Sequence, residues 1–177
     1  MVAITRLILL ASTVAAATIQ LLPRDGYTVI QDITTKIAPQ INSLNKQIAS
    51  FPGSGRAGAE AIAKDTITLI RAVNAATEDV KTARQFDVVQ GLQIATEIQA
   101  QVPQLLAILV SIAARAHDWG AIEGPKLTLD DLKAGSAAFS NFLDAVIAAE
   151  PLLQKPVLIT IKVQITGAFN IAIGRFS

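Results

Sequence analysis

The sequence holds no cysteine in 177 residues, a single histidine, and one each of methionine, tryptophan and tyrosine. Without cysteine there is no disulfide, so the fold must be held by packing alone. One histidine and no thiol leave too few ligands for a zinc or copper site, and no metal or cofactor is expected. Charged residues are scarce, 16% against 51% hydrophobic, which excludes a disordered chain and implies a surface poor in charge. Long hydrophobic runs are also missing. The longest beyond the N-terminus, Leu105 to Ala114, is broken by Ser111 and falls short of the ~18 residues of a membrane-spanning helix. On that criterion no transmembrane segment is expected.

What is present begins with an export signal. Arg6, the apolar run Leu7-Ile8-Leu9-Leu10 and the small residues Ala15-Ala16-Ala17 form the charged, hydrophobic and cleavage regions of a secretory leader over residues 1–17. Pro23-Arg24-Asp25 leaves open a pro-segment up to residue 24, so a single mature domain is expected over 25–177. With Arg6 gone, Lys+Arg drops from 15 to 14 and equals the 14 Asp+Glu. A neutral chain has no electrostatic footprint for nucleic acid. None of Asn42, Asn45, Asn74, Asn141 or Asn170 is followed two residues on by Ser or Thr, so no N-glycosylation sequon exists.

Hydrophobic periodicity points to helices throughout. Ile30, Ile33, Ile37, Leu44, Ile48 and Phe51 mark one face of a helix over Tyr27 to Ser50, with a kink or break at Pro39. Phe51-Pro52-Gly53-Ser54-Gly55 is a stop and turn. Ile62, Thr66, Leu69, Val73, Ala76, Val80 and Ala83 form the stripe of a second helix ending near Gln85. Asp87 with Gln90 reads as a capping box opening a third. Its stripe is Val88, Leu92, Ile98, Val102, Leu105, Leu109 and Ile112, bent at Pro103. His117 to Lys126 reads as a loop, and Thr128 with Asp131 as a second capping box. Leu132, Phe139, Phe142, Leu143 and Val146 define a fourth helix, and Pro151 and Pro156 bracket the last connection.

The final segment, Val157 to Phe176, is two-sided. Val157, Ile159, Ile161, Val163 and Ile165 alternate as in a strand, yet Val157, Ile161, Ile165, Ala168, Ala172 and Phe176 keep a helical period. A lone strand would have no partner for its backbone groups, so the segment is expected to be helical. The fold class is therefore all-α, an antiparallel bundle of about five helices with short loops.

Catalysis has no support in these residues. His117 lies beside Asp118 and Trp119, but no nucleophile is marked and the G-x-S-x-G elbow is absent. Gly53-Ser54-Gly55-Arg56-Ala57-Gly58 follows a helix and lacks the G-K-[ST] ending of a phosphate loop. Asp130-Asp131 suits the negative first turn of a helix better than a calcium site. No catalytic residue is assigned. What remains is the apolar inventory, either plain bundle core or the wall of an elongated cavity between helices.

The run "VIQDITTKIAPQINSLNKQIASFPG" resembles the first helix of the fungal hydrophobic surface-binding protein A family, which includes the cell-wall galactomannoproteins. Asp32-Ile33, Leu44-Asn45 and Ala49-Ser50-Phe51-Pro52 carry the likeness, joined by "LTLDDLKAGSAAFSNFLDAVIAAEP" and the ending "GAFNIAIGRFS". The resemblance implies a secreted, non-enzymatic five-helix domain that adsorbs to hydrophobic surfaces or holds a fatty acid between its helices. It also implies a secreted hydrolase as a partner. A lining from Leu69, Val73, Leu105 and Leu109 is expected, with Phe139, Phe142, Leu143 and Val146 opposite and Ile165 and Phe169 from the final helix. A carboxylate head would have Arg71, Arg84, Lys126 or a helix N-terminus to meet it. The alternative is a structural cell-wall mannoprotein, or a partner-docking bundle without a small ligand; the chain lacks the Ser/Thr-rich tail of the anchored members.

Overall fold

The computed structural model describes residues 25–122 and 129–177. Its elements are α1 (Gly26–Asp32), a π-helical turn (Ile33–Ile37), α2 (Ala38–Ser50), α3 (Gly55–Ala83), α4 (Val88–Ala114), α5 (Ala116–Ala121), α6 (Leu129–Ala149) and α7 (Lys155–Phe176). α1, the π turn and α2 run on as one N-terminal rod. Pro39 does not break this rod, because it falls in the first turn of α2 directly after the π turn. A wider turn relieves the clash that a proline ring makes with the carbonyl behind it.

Asp87 caps α4 as expected, accepting from the Gln90 backbone N–H at 2.8 Å while the Gln90 side chain reaches back to the Asp87 N–H. Removing this reciprocal pair with Asp87→Ala should lower stability by about 1 kcal/mol; an unchanged midpoint in urea titration would count against the cap's role. Thr128, proposed as the other cap, lies outside the described residues. α7 is helical despite its β-branched alternation, and Pro156 sits in its first turn, where no N–H is missed.

Two expectations change. Part of the supposed loop, Ala116–Ala121, is the short helix α5. It swings Trp119 inward onto Phe51, the rings stacked at 4.1 Å between centroids and 14° between planes. That burial outweighs the low helix propensity of Gly120. Val88 and Leu92, placed in the buried stripe of α4, are exposed. α4 is apolar on nearly every side, so periodicity alone could not choose its inner face.

The five long rods close a ring: the N-terminal rod packs on α3 and α4, α3 on α6, α4 on α7, and α6 on α7. Consecutive rods reverse direction, but packed neighbours do not all do so. Thr66 and Asp131 share a cavity wall, and Phe86 donates its N–H to the Ala149 carbonyl at 3.0 Å, so α3 and α6 run parallel. A ring with an odd number of rods must contain at least one parallel seam. The predicted stripe residues of the N-terminal rod and of α6 are all buried, pointing to the ring's interior.

A candidate apolar binding site inside the helical ring

Two small cavities lie end to end along the axis of the ring. The first, about 20 Å³, is walled by Ile33, Ile37 and Ile41 of the N-terminal rod, Ile98, Gln101, Val102 and Leu105 of α4, Phe139, Phe142 and Leu143 of α6, and Ile165 of α7. The second, about 40 Å³, lies further along, between Leu44, Ile48, Leu69, Ile108, Leu109, Ile112, Leu132 and Phe169. Leu105 and Phe139 belong to both walls and form the partition. Phe139 is held in place by Phe169, whose ring centroid is 5.9 Å away. Gly135, one turn before Phe139, leaves room for Phe169: a Cβ there would come within 3.2 Å of its ring.

Along α4 the two walls run from Ile98 to Ile112, which at about 1.5 Å per residue is roughly 21 Å, the scale of an extended long-chain fatty acid. The volumes are far smaller than the ~300 Å³ and upward of ordinary ligand pockets. The interior is thus apolar and packed nearly shut, with room as it stands for little more than a water molecule in either void. Occupancy requires the partition and its neighbours to rotate or the helices to part.

Polar atoms are few. Gln101 is the one polar side chain on the first wall, and its Oε1 is buried with no hydrogen-bond partner among the described residues. Thr66 and Asp131 touch the second. Arg71 and Arg84 are exposed and line neither cavity, while Lys126 lies outside the described residues. Of the expected lining residues, Leu69, Leu105, Leu109, Phe139, Phe142, Leu143, Ile165 and Phe169 line one cavity or both. Val73 and Val146 are buried but line neither. Sequence reasoning missed the large share taken by the N-terminal rod, although its stripe was the clue. It also missed Gln101, whose polarity inside an apolar helix was a signal.

His117 is exposed on α5, and among the described residues no group of three His, Cys, Asp or Glu could hold a metal ion. One titratable group is strongly displaced. Glu150, just after α6, is buried to 3% exposure, and neither carboxylate oxygen has a hydrogen-bond partner among the described residues. Burial pushes its pKa from 4.5 up to about 7, with Lys155 pulling the other way. It lies against Gly91 and Pro151 at one end of the ring, away from both cavities.

A closed ring of helices around an apolar interior is an architecture that hosts ligands between its helices. The sequence comparison is more specific. The model of the hydrophobic surface binding protein A family matches residues 26–148, and the chain belongs to that family. Its fold is similar to that of AfMP4p, crystallised with palmitic acid, at TM-score 0.79 and 23% identity, covering 86% of this chain and 100% of that one. It is also similar to ligand binding domain 1 of the Penicillium marneffei MP1 protein, complexed with arachidonic acids, at TM-score 0.73 and 14% identity, covering 86% and 99%. Domain 2 of the same protein, complexed with multiple arachidonic acids, gives 0.70 and 14%, covering 85% and 96%. No curated protein sequence matches the chain.

Proposed function

We propose that this protein is a secreted, non-enzymatic binder of apolar matter that takes a fatty-acid-like chain into its ring and meets hydrophobic surfaces with its exterior. The observation that carries the first part is the pair of collinear apolar cavities divided only by Leu105 and Phe139. The same fold in AfMP4p and the MP1 domains, crystallised with palmitic and arachidonic acids, supports it. Each methylene buried contributes about 0.8 kcal/mol, so a long chain can offset the cost of parting the core without a charged anchor. The buried Gln101 Oε1, without a partner among the described residues, is an acceptor to which a protonated carboxyl or hydroxyl head group can donate. The role of recruiting a secreted hydrolase follows from the family resemblance alone.

Native mass spectrometry of the secreted protein, before and after incubation with palmitate, tests the reading. A stoichiometric adduct that survives desalting is expected. A protein that takes up neither palmitate nor arachidonate, and gains no thermal stability from either, would favour a structural cell-wall role instead.

A further inference from the structure

The outside of the ring has two unlike halves. Along α3 the exposed side chains include Arg56, Glu60, Lys64, Arg71, Glu78 and Lys81, a charged face of mixed sign from end to end. α4 and α7, which pack side by side, are the reverse. The only charged residue of α4 is Glu97, half-buried; α7 has Lys162, tied to Asp144, and Lys155 and Arg175 at its ends. Among the described residues, every exposed large apolar side chain except Tyr27 and Ile67 lies on α4, on α7 or in the turn that leads into α7. Both helices are long and apolar enough to cross a membrane by length and composition, although neither holds an unbroken apolar run of that length. Yet only 33% of α4's most apolar stretch and 28% of α7's is buried inside the protein.

These side chains form one continuous strip. Gln99 and Pro103 of α4 and Val157, Thr160 and Gln164 of α7 line a shallow shared groove, where the two outer faces meet. On α4, Leu92, Pro103 and Val110 follow the ridge beside this groove; on α7, Val163 and Ile171 stand outward at 67% and 65% exposure. Leu153, in the turn before α7, is exposed as well, at 76%. At about 1.5 Å per residue, the stretch of α4 from Leu92 to Val110 makes it roughly 27 Å long.

We infer that the α4–α7 face is the surface by which this protein lies flat on an extended uncharged apolar material such as a wax or polyester. The assignment rests on the reading of the protein as a binder of hydrophobic surfaces. Specific protein partners are selected and oriented by complementary charge and by penalties on wrong pairings. Between its ends the strip carries no free charge that could set a register: Glu97 is half-buried, Lys162 is tied to Asp144, and the exposed Arg175 stands only at the C-terminal end of α7. Its interspersed groups, Gln93, Thr96, Gln99 and Asn170, are polar but neutral. It therefore matches a surface that has no pattern to read, while the charged α3 face stays in water.

The experiment is adsorption to octadecyl-coated and polystyrene sensors, comparing wild type with Val110→Lys, Val163→Lys and Ile171→Lys, and with Ile67→Lys on α3 as control. These positions are exposed, so the variants should fold, checked by circular dichroism and by unchanged palmitate uptake. Each charge on the strip should weaken adsorption by about tenfold, from the apolar burial it prevents, and Ile67→Lys should have no effect. Wild type that does not adsorb overturns the surface-binding reading and this assignment with it. Wild type that adsorbs while the strip variants adsorb equally well overturns the assignment alone. So does a wild-type dimer that Val163→Lys converts to monomer, since the strip would then be a contact between copies.

Discussion

A protein carrying Phe139→Ala should gain more thermal stability from palmitate than wild type does, and one carrying Leu105→Asp should gain none. Both residues belong to the partition between the two cavities. Removing the Phe139 ring joins the cavities and abolishes the contact with Phe169. The unliganded variant should lose about 3–5 kcal/mol, the usual cost of truncating a buried phenylalanine. A ligand that fills the joined channel restores part of that loss, so its stabilising effect grows; at a hundred times its dissociation constant a ligand adds about 2.7 kcal/mol. Leu105→Asp places a carboxylate in the same partition, where an acyl chain would have to desolvate it. Thermal scans with and without palmitate, on variants shown to be folded, read both effects. Equal palmitate shifts for wild type, Phe139→Ala and Leu105→Asp would place the ligand elsewhere.

The second large effect concerns acidity. Glu150 is protonated more readily in the folded protein than in the unfolded chain, its pKa being about 7 against 4.5. Between those values the folded state binds more protons, so stability falls as pH rises. The contribution is fully present below pH 4.5, declines through the interval, and is lost once pH passes about 7. At about 1.36 kcal/mol per unit the whole effect is on the order of 3 kcal/mol. Glu150→Gln keeps the shape and removes the charge. It should equal wild type near about pH 4 and exceed it near about pH 8, with a flatter profile between them. Unfolding midpoints across that range test this; a wild-type midpoint that does not fall with rising pH would show that Glu150 is hydrated rather than buried.

Much of this architecture can be read from the chain. Ile33, Ile37, Leu44 and Ile48 mark their rod's inner face because polar residues occupy its other sides, and Asp87 with Gln90 marks a boundary because the capping chemistry is local. α7 is legible only by elimination. Its alternation of β-branched residues favours a strand, and the absence of a partner strand is what excludes one. α5 was hidden, because Trp119 is helical on account of Phe51, a residue distant in sequence. The site is half legible: eight of the ten expected lining residues face a cavity, since large apolar side chains on facing helices have nowhere else to go. Val73 and Val146 are equally buried but line neither cavity, and period cannot separate a packed core residue from a cavity wall. The outer strip was invisible for the opposite reason. Leu92 and Val88 are as apolar as Ile98 and Leu109, and composition carries no sign of inside or outside.

The order of the rods around the ring differs from their order along the chain, and this has a bearing on assembly. The seam between the N-terminal rod and α3 joins near neighbours in sequence: Asp65 accepts from Ser43 and Gln47, separated by 22 and 18 positions. The α3–α6 and α4–α7 seams instead join residues some sixty positions apart, and contacts of that reach form only after a long loop has closed. The chain through α4 can associate as an open half-cylinder, to which α6 and α7 dock as a hairpin across two parallel seams. That hairpin carries Phe139, Phe142 and Phe169. The aromatic wall of the interior thus belongs to the two helices that are joined to the rest of the ring by its longest-range seams.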